Sequence, residues 1–321
     1  MQKRNNFLDK MDQFFVVHGE KIPGKGEDSF LLSVNERAGL AAVFDGCGGS
    51  GARVYKDLGG KTGAYIAARV LSDTMCGWFE DSWDEDERVY RISDVSLKKA
   101  IDARLSGLRQ KSGAGTVLKG SMTKEFPSTL AAAVLCENEN GVLADFLWSG
   151  DSRVYILDSQ GLKQVSVDDL PVTDAMENLR EDAGMNNVVS ASHPYHINVK
   201  KIRIEHPCII MAATDGCFGY LKSPMEFEKL LLDTLLAGES IVQWQNALYE
   251  RFRDVAGDDY TMSLISIGYG SFHKMRESFE YRFEYLQRAY PLGPDTTEQE
   301  LFRQWSEYRH GYELYQKRDE A

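Results

Sequence analysis

Short apolar blocks separated by polar turns fill the front half of the chain. Phe30 to Val34 is one such block and Gly39 to Phe44 another, and the polar Asn35-Glu36-Arg37 between them suits a hairpin loop. From Lys61 to Leu71 the spacing turns helical, with Tyr65, Ala68 and Leu71 near a 3.6-residue period. A second helix is predicted over Ser96 to Arg109, with Leu97, Ile101, Leu105 and Leu108 on one stripe. Gly113-Ala114-Gly115 ends it, and a loop runs on to Pro127. Strands resume at Thr129 to Cys136 and Val142 to Trp148, across the polar turn Glu137 to Gly141. Val154 to Leu157 and Leu162 to Val167 read as a hairpin around Ser159-Gln160-Gly161. Asp168 to Asn198 is polar and poorly periodic, and so long a segment inside a domain is a functional flap or a mobile loop. Lys200 to Ile204 and Cys208 to Ala213 are strand-like, Pro224 to Leu236 and Ser240 to Val255 helical, and Thr261 to Ile267 is a last strand.

Strands come in pairs joined by short turns, and helices come in pairs between them. This is not the alternating βα order of a parallel doubly wound sheet. It predicts an α+β fold, a four-layer α-β-β-α sandwich of two antiparallel sheets flanked by helices, over residues 1–270. Beyond Gly270 the composition shifts. Phe272, Met275, Phe279, Phe283, Leu286 and Tyr290 keep helical spacing, and Pro291 to Pro294 stops that helix. Thr297 and Glu300 form a capping-box pattern, after which Leu301, Trp305, Tyr308, Tyr312 and Tyr315 repeat four and three apart. Residues 271–321 thus read as a two-helix hairpin with an aromatic stripe. The stripe either packs on the main domain or serves a partner or a second copy.

Composition narrows the function. Lys plus Arg number 37 against 49 for Asp plus Glu, a net charge of -12. Nucleic acid and anionic membranes attract basic surfaces, so neither is the expected partner. The five cysteines, Cys47, Cys76, Cys136, Cys208 and Cys217, are odd in number and include no C-x-x-C pair. A disulfide framework and a zinc site are therefore not expected, and a reducing compartment is. Met1 to Lys10 lacks an apolar core for a signal peptide, and no run approaches the ~20 apolar residues that span a bilayer. The expected location is cytoplasmic.

Four segments share one local design. Leu40 to Phe44 runs into Asp45-Gly46, Ala144 to Ser149 into Gly150-Asp151-Ser152-Arg153, and Cys208 to Thr214 into Asp215-Gly216. Gly257-Asp258-Asp259 opens into the strand at Thr261. Each Asp sits where an apolar strand begins or ends, with Gly close by. Any one of them alone reads as a turn. Together they could gather carboxylates for hard divalent cations such as Mg²⁺ and Mn²⁺, which prefer oxygen ligands. Two such ions ~3.5–4 Å apart can share a water, lower its pKa from ~15.7 towards neutrality, and clamp an in-line displacement at phosphorus.

With Glu27-Asp28 added, the ordered set Val43-Phe44-Asp45-Gly46-x-Gly48-Gly49, Gly150-Asp151-Ser152-Arg153, Ala213-Thr214-Asp215-Gly216 and Asp258-Asp259-x-Thr261 resembles the PP2C, or PPM, family of metal-dependent protein serine/threonine phosphatases. The resemblance spans residues 12 to 269. It implies a β-sandwich with a dimetal site at one end, two Mn²⁺ or Mg²⁺ ions and a third, weaker site. By position, Asp45 bridges both ions, the Gly46 carbonyl ligates one, and Asp215 and Asp258 complete the other's shell. Glu27 and Asp28 act nearby through bound water, and Asp151 with Asp215 serves the third ion. The implied substrate is a phosphorylated protein made by a Ser/Thr kinase, and residues 168–198 match a flap beside its cleft.

Three positions depart from that pattern. Where the family often has a phosphate-gripping Arg stands Pro23, flanked by Lys21 and Lys25, which could supply positive charge but not a bidentate fork. Where eukaryotic members carry a general-acid His stands Cys47, which is either a small residue with no catalytic role or a thiol able to donate a proton or respond to oxidants. Asp259 stands where many members have Asn. His193 and His196 fall in the flap. Besides the enzyme, two other readings fit: a pseudophosphatase that binds phosphoproteins, and a scaffold whose tail is the working part.

Overall fold

The computed structural model describes residues 6–112, 123–138, 141–180, 183–293 and 296–316. The first sheet is built from β1 (Met11–Gly19), β6 (Arg153–Asp158), β7 (Gly161–Gln164), β9 (Cys208–Ala213) and β10 (Tyr260–Ile267) in the order β1-β10-β9-β6-β7. The second is built from β2 (Ser29–Val34), β3 (Ala38–Phe44), β4 (Leu130–Asn138), β5 (Gly141–Ser149) and β8 (Asn198–Ile204) in the order β8-β5-β4-β3-β2. Every neighbouring pair is antiparallel.

The strands read as unbroken apolar runs because both faces are covered. On β3, Leu40, Ala42 and Phe44 join a cluster with Leu71, Met75, Leu97 and Ile101 of helices α1 (Gly63–Asp81) and α2 (Asp94–Lys111). The alternate residues Ala41 and Val43 meet Ile210, Ala212 and Ile265 of the other sheet. The outer face of the first sheet packs Met211 and Leu264 against Leu231 of α3 (Pro224–Ala237) and Trp244 of α4 (Ile241–Val255). This is the expected four-layer α-β-β-α order.

Three local readings change. Strand β1 had no place in the sequence reading. It is an edge strand in which only alternate residues, Phe15, Val17 and Gly19, are buried, and its polar start hides that alternation. It pairs with β10 some 250 residues away, for example Phe15 with Leu264. Helix α1 runs ten residues past Leu71, because Met75, Trp78 and Phe79 continue its buried face. Thr62 caps its start by accepting from Tyr65 N–H at 3.1 Å. Finally, the segment after β7 has one short 3-10 turn, Glu177–Leu179, and anchors Ala175 and Met176 in the core. The stop at Gly113–Gly115, the centre of the Glu137–Gly141 turn, Pro294 and the first five residues lie outside the described residues.

Helices α5 (Phe272–Ala289) and α6 (Glu298–Tyr312) form the expected pair, with the capping box at Thr297 and Glu300 in place. Their stripe packs inward. Met275, Phe279, Leu286, Leu301, Trp305, Tyr308 and Tyr312 share one buried cluster with Phe15, Tyr155 and Met211 of the first sheet. Fully buried Glu228 on α3 fixes both helices at once. Arg282 donates to it from Nε (2.6 Å) and Nη2 (2.8 Å), and the Tyr308 hydroxyl donates at 2.5 Å. Breaking such a buried pair strands an uncompensated charge.

A chain ending at Gly270 is therefore expected to lose cooperative thermal unfolding, since it bares this cluster and leaves Glu228 unpaired. Phe279→Ala in the full chain should cost about 3–5 kcal/mol, measured by urea denaturation. A loss near zero would mean that the tail is not part of the core.

Candidate metal centre

The acids lie where strands of both sheets start and stop. Asp45 follows β3 and is fixed through its backbone: its N–H donates to Thr129 Oγ1 at 3.0 Å, and Thr129 N–H donates to its carbonyl at 2.8 Å. Asp215 opens a 3-10 turn after β9, with its carbonyl accepting from Phe218 N–H at 2.9 Å. Asp151 follows Gly150, whose φ of +103° strongly favours glycine. Asp258 lies just before β10 and is exposed, its Oδ1 accepting from Asp259 N–H at 2.8 Å.

Gly46, Gly48 and Gly216 let segments approach closely. A Cβ on Gly46 would sit 2.7 Å from the Ala64 carbonyl oxygen and 2.8 Å from that of Glu27. One on Gly216 would overlap the Asp259 carbonyl, and one on Gly48 the Glu27 carboxylate. Gly46 and Gly216 thus let Glu27-Asp28, Asp45 and Asp258-Asp259 converge.

Asp28 is buried, and its Oδ2 accepts from the hydroxyls of Thr214 (2.9 Å) and Thr261 (2.7 Å). Glu27 accepts from Thr62 Oγ1. These threonines, with Thr129, hold the acids by hydrogen bonds and carry no signal in the sequence, although Thr214 and Thr261 stand inside the quoted motifs. Arg69 was also missed: from α1 it donates to the carbonyls of Glu27 (3.1 Å) and Gly26 (3.3 Å). Nothing in a helix stripe marks it.

Asp259 takes a structural part. Its Oδ1 accepts from Lys21 N–H at 2.8 Å and its Oδ2 from Glu27 N–H at 2.7 Å. It thereby holds the exposed loop carrying Lys21, Pro23 and Lys25. Lys21 Nζ donates to the Ala256 carbonyl at 2.6 Å. His193 Nδ1 bonds Ser192 Oγ at 2.8 Å, and His196 Nε2 lies 3.9 Å from Asp169, neither among the acids of the motifs.

Burial pushes Asp28 up to about 8, against the two threonine hydroxyls and with help from Asp215 and Asp259. Burial also holds Asp45 well above the carboxylate range, and the charges of Asp28, Asp215, Asp151 and Asp258 add to it. Asp151 rises to about 7 through burial, Asp215 and Asp168. Glu27 is raised by burial first. The Cys47 thiol is pushed well up by burial and by Asp45 and Asp151, so it stays protonated. In the metal-free chain this disfavours the thiolate on which oxidant sensitivity depends.

Among the described residues no three His, Cys, Asp or Glu side chains stand close enough to hold an ion as placed. The donor set nonetheless suits hard divalent ions. It is all carboxylate and carbonyl oxygen, acidic neighbours help raise Asp28, Asp45 and Asp151, and the buried Oδ1 of Asp151 has no hydrogen-bond partner. Neither of two cavities, about 850 Å³ between α1 and α2 and about 410 Å³ beside α3 and α4, is lined by these acids.

The family described as Protein phosphatase 2C matches residues 25–250. No curated protein sequence matches the chain. Among solved structures, the chain is similar to the serine/threonine phosphatase Stp1 from Staphylococcus aureus, at 18% identity, TM-score 0.57, and 80% of this chain against 94% of that one. It is similar to PppA, a regulatory component of T6SS in Pseudomonas aeruginosa, at 19% identity, TM-score 0.54, and 81% against 100%. It is also similar to the catalytic domain of the phosphatase PstP in complex with two manganese ions, at 14% identity, TM-score 0.53, and 79% against 97%. At such identities these likenesses carry the fold alone.

In the metal-free chain, Asp28 and Asp151 hold their protons more tightly folded than unfolded. The stability this gives is fully present below about pH 4, the unfolded carboxylate range, and is lost as pH rises through about 7 and 8. The urea midpoint in EDTA is expected to fall between about pH 5 and about pH 8, and Mn²⁺ should offset that fall by binding the ionised form. A midpoint that climbs over this range in EDTA would refute the picture of raised carboxylates.

Proposed function

The chain belongs to the protein phosphatase 2C family of protein serine/threonine phosphatases, and on that premise we propose that it hydrolyses phosphoserine and phosphothreonine in proteins using Mn²⁺ or Mg²⁺ held by the acidic cluster. The observation that carries this reading is the gathering of Asp215 and Asp258 beside Asp28, Asp45 and Asp151, whose carboxyls are raised by burial and by the acids around them.

Asp45, Asp215, Asp258 and the Gly46 carbonyl would hold two ions, with Glu27 and Asp28 acting through water and Asp151 with Asp215 offering a third site. When bound, the ions supply a water deprotonated near neutral pH and offset charge on the phosphoryl oxygens. The chain's own groups do the rest. Thr129 fixes the Asp45 backbone, Thr214 and Thr261 orient Asp28, and Arg69 holds the Glu27-Asp28 turn. Lys21 and Lys25 offer positive charge at the rim to the incoming phosphate. Cys47, kept protonated, is a poor general acid, so turnover should favour good leaving groups. The substrate class is a phosphoprotein produced by a Ser/Thr kinase. The described helices include none long and apolar enough to cross a membrane.

Pro23 and Cys47 favour a second reading, a pseudophosphatase that binds phosphoproteins. Against it stands the cluster itself, since unneutralised carboxylates destabilise a protein that has no use for them.

The test is hydrolysis of p-nitrophenyl phosphate and a phosphothreonine peptide with Mn²⁺ and with EDTA. Activity is expected with Mn²⁺ only. Asp45→Asn and Asp215→Asn should cost more than the ~100-fold upper range for loss of an outer-shell partner, and Thr261→Val about 10–100-fold. No turnover with any divalent ion would leave the pseudophosphatase.

A further inference from the structure

Helix α6 grips the irregular segment that follows β7. Trp305 Nε1 donates to both carboxylate oxygens of Asp174 at 3.1 Å, and Arg309 Nη1 pairs with the same group at 2.8 Å. That carboxylate also accepts from the N–H groups of Met176 (2.9 Å) and Glu177 (3.2 Å), so it shapes the turn at Glu177–Leu179. Beyond the turn, Arg180 pairs with Glu298 at 2.8 Å and lies 4.3 Å over the Phe302 ring.

A second set of contacts leads from α6 to the acids. The Tyr312 hydroxyl donates to Gln164 Oε1 at 2.9 Å, and Gln164 Nε2 donates to Asp168 Oδ1 at 2.9 Å. Asn178 Nδ2 donates to Asp168 Oδ2 at 3.0 Å. Asp168 forms a buried fork with Arg153, Nε to Oδ1 at 3.0 Å and Nη2 to Oδ2 at 2.6 Å, two residues from Asp151. Next to it, Gly150 N–H donates to Asp169 Oδ2 at 2.9 Å, and Asp169 N–H donates to the Gly150 carbonyl at 3.0 Å.

Residues 168–180 contain no strand and no α-helix. Arg153 and the Gly150 backbone hold their start at Asp168 and Asp169, and side chains from α6 hold their far part at Asp174 and Arg180. The segment rises from the rim of the acidic cluster and exposes Pro171, Thr173, Glu177 and Arg180. A small aryl phosphate needs only the cluster, whereas a phosphopeptide must also lie on the surface around it. We propose that Asp174, Trp305 and Arg309 are positioning residues: by fixing residues 168–180 on the rim, the C-terminal helix sets the affinity for the polypeptide around the phosphorylated residue. The inference rests on the phosphatase reading above.

Two measurements on the full-length chain decide it. The first compares hydrogen exchange over residues 174–180 in wild type and in Arg309→Gln, alone and with Trp305→Phe. Exchange should rise there and stay unchanged in β3 and β9. The second compares a phosphothreonine peptide with p-nitrophenyl phosphate in Mn²⁺. KM for the peptide should rise about 2- to 30-fold, the range for couplings through packed contacts, with p-nitrophenyl phosphate turnover nearly unchanged. Arg309→Lys keeps charge beside Asp174 and should restore most of the loss. Glu313→Gln removes the other partner of Arg309, at 2.9 Å, and should leave the peptide KM as in wild type. Equal losses on both substrates, or exchange unchanged in the variants, overturn the proposal. A wild type inactive on both substrates sinks the phosphatase reading instead, and the exchange comparison still decides the clamp.

Discussion

Carboxylates crowded out of water at one place cannot all ionise without a counter-charge, and the architecture of this chain is arranged around such a place. Elsewhere its buried acids have cations. Asp168 is forked by Arg153, Glu228 by Arg282, Asp145 meets Lys201 at 2.6 Å, and Glu125 meets Arg109 at 2.8 Å. Asp28, Asp45 and Asp151 instead have other acids as prominent neighbours. Arg153, whose guanidinium acts on Asp151, is already forked to Asp168. The missing positive charge is what divalent ions would supply.

The rest of that end holds the acids in place. Strand ends fix Asp45 and Asp215. Glycines whose Cβ would strike a neighbouring carbonyl or carboxylate let three segments meet. Threonine hydroxyls donate to Asp28, and Asp259 uses both oxygens on backbone N–H groups. Asp258 and Asp259 are adjacent carboxylates in different surroundings: Asp258 is exposed and accepts from the Asp259 N–H, whereas Asp259 holds the loop in front of the acids.

The C-terminal pair of helices extends the same logic. Its aromatic stripe completes the core on the outer face of the first sheet, and Glu228 ties it down with one buried ion pair and one tyrosine hydroxyl. Its other contacts reach the segment beside Asp151. A helix far along the chain from the acidic motifs is therefore mechanically close to them.

Periodicity alone determined most of the strands, the six long helices and the two-sheet sandwich, because those signals are local and repeat within a few residues. The ordered Asp motifs marked the acids for the same reason. Several matters needed the tertiary structure. Strand β1 was hidden because an edge strand with a polar start shows only half an alternation, and its partner lies some 250 residues away. The threonines around Asp28, Arg69 behind Glu27, and the protonated state of Cys47 depend on which segments meet. Whether the aromatic stripe faced this chain or another molecule was equally open, since helical spacing says which side of a helix is apolar and not what covers it. Sequence fixes each element's own faces, and only packing between distant elements decides what those faces touch.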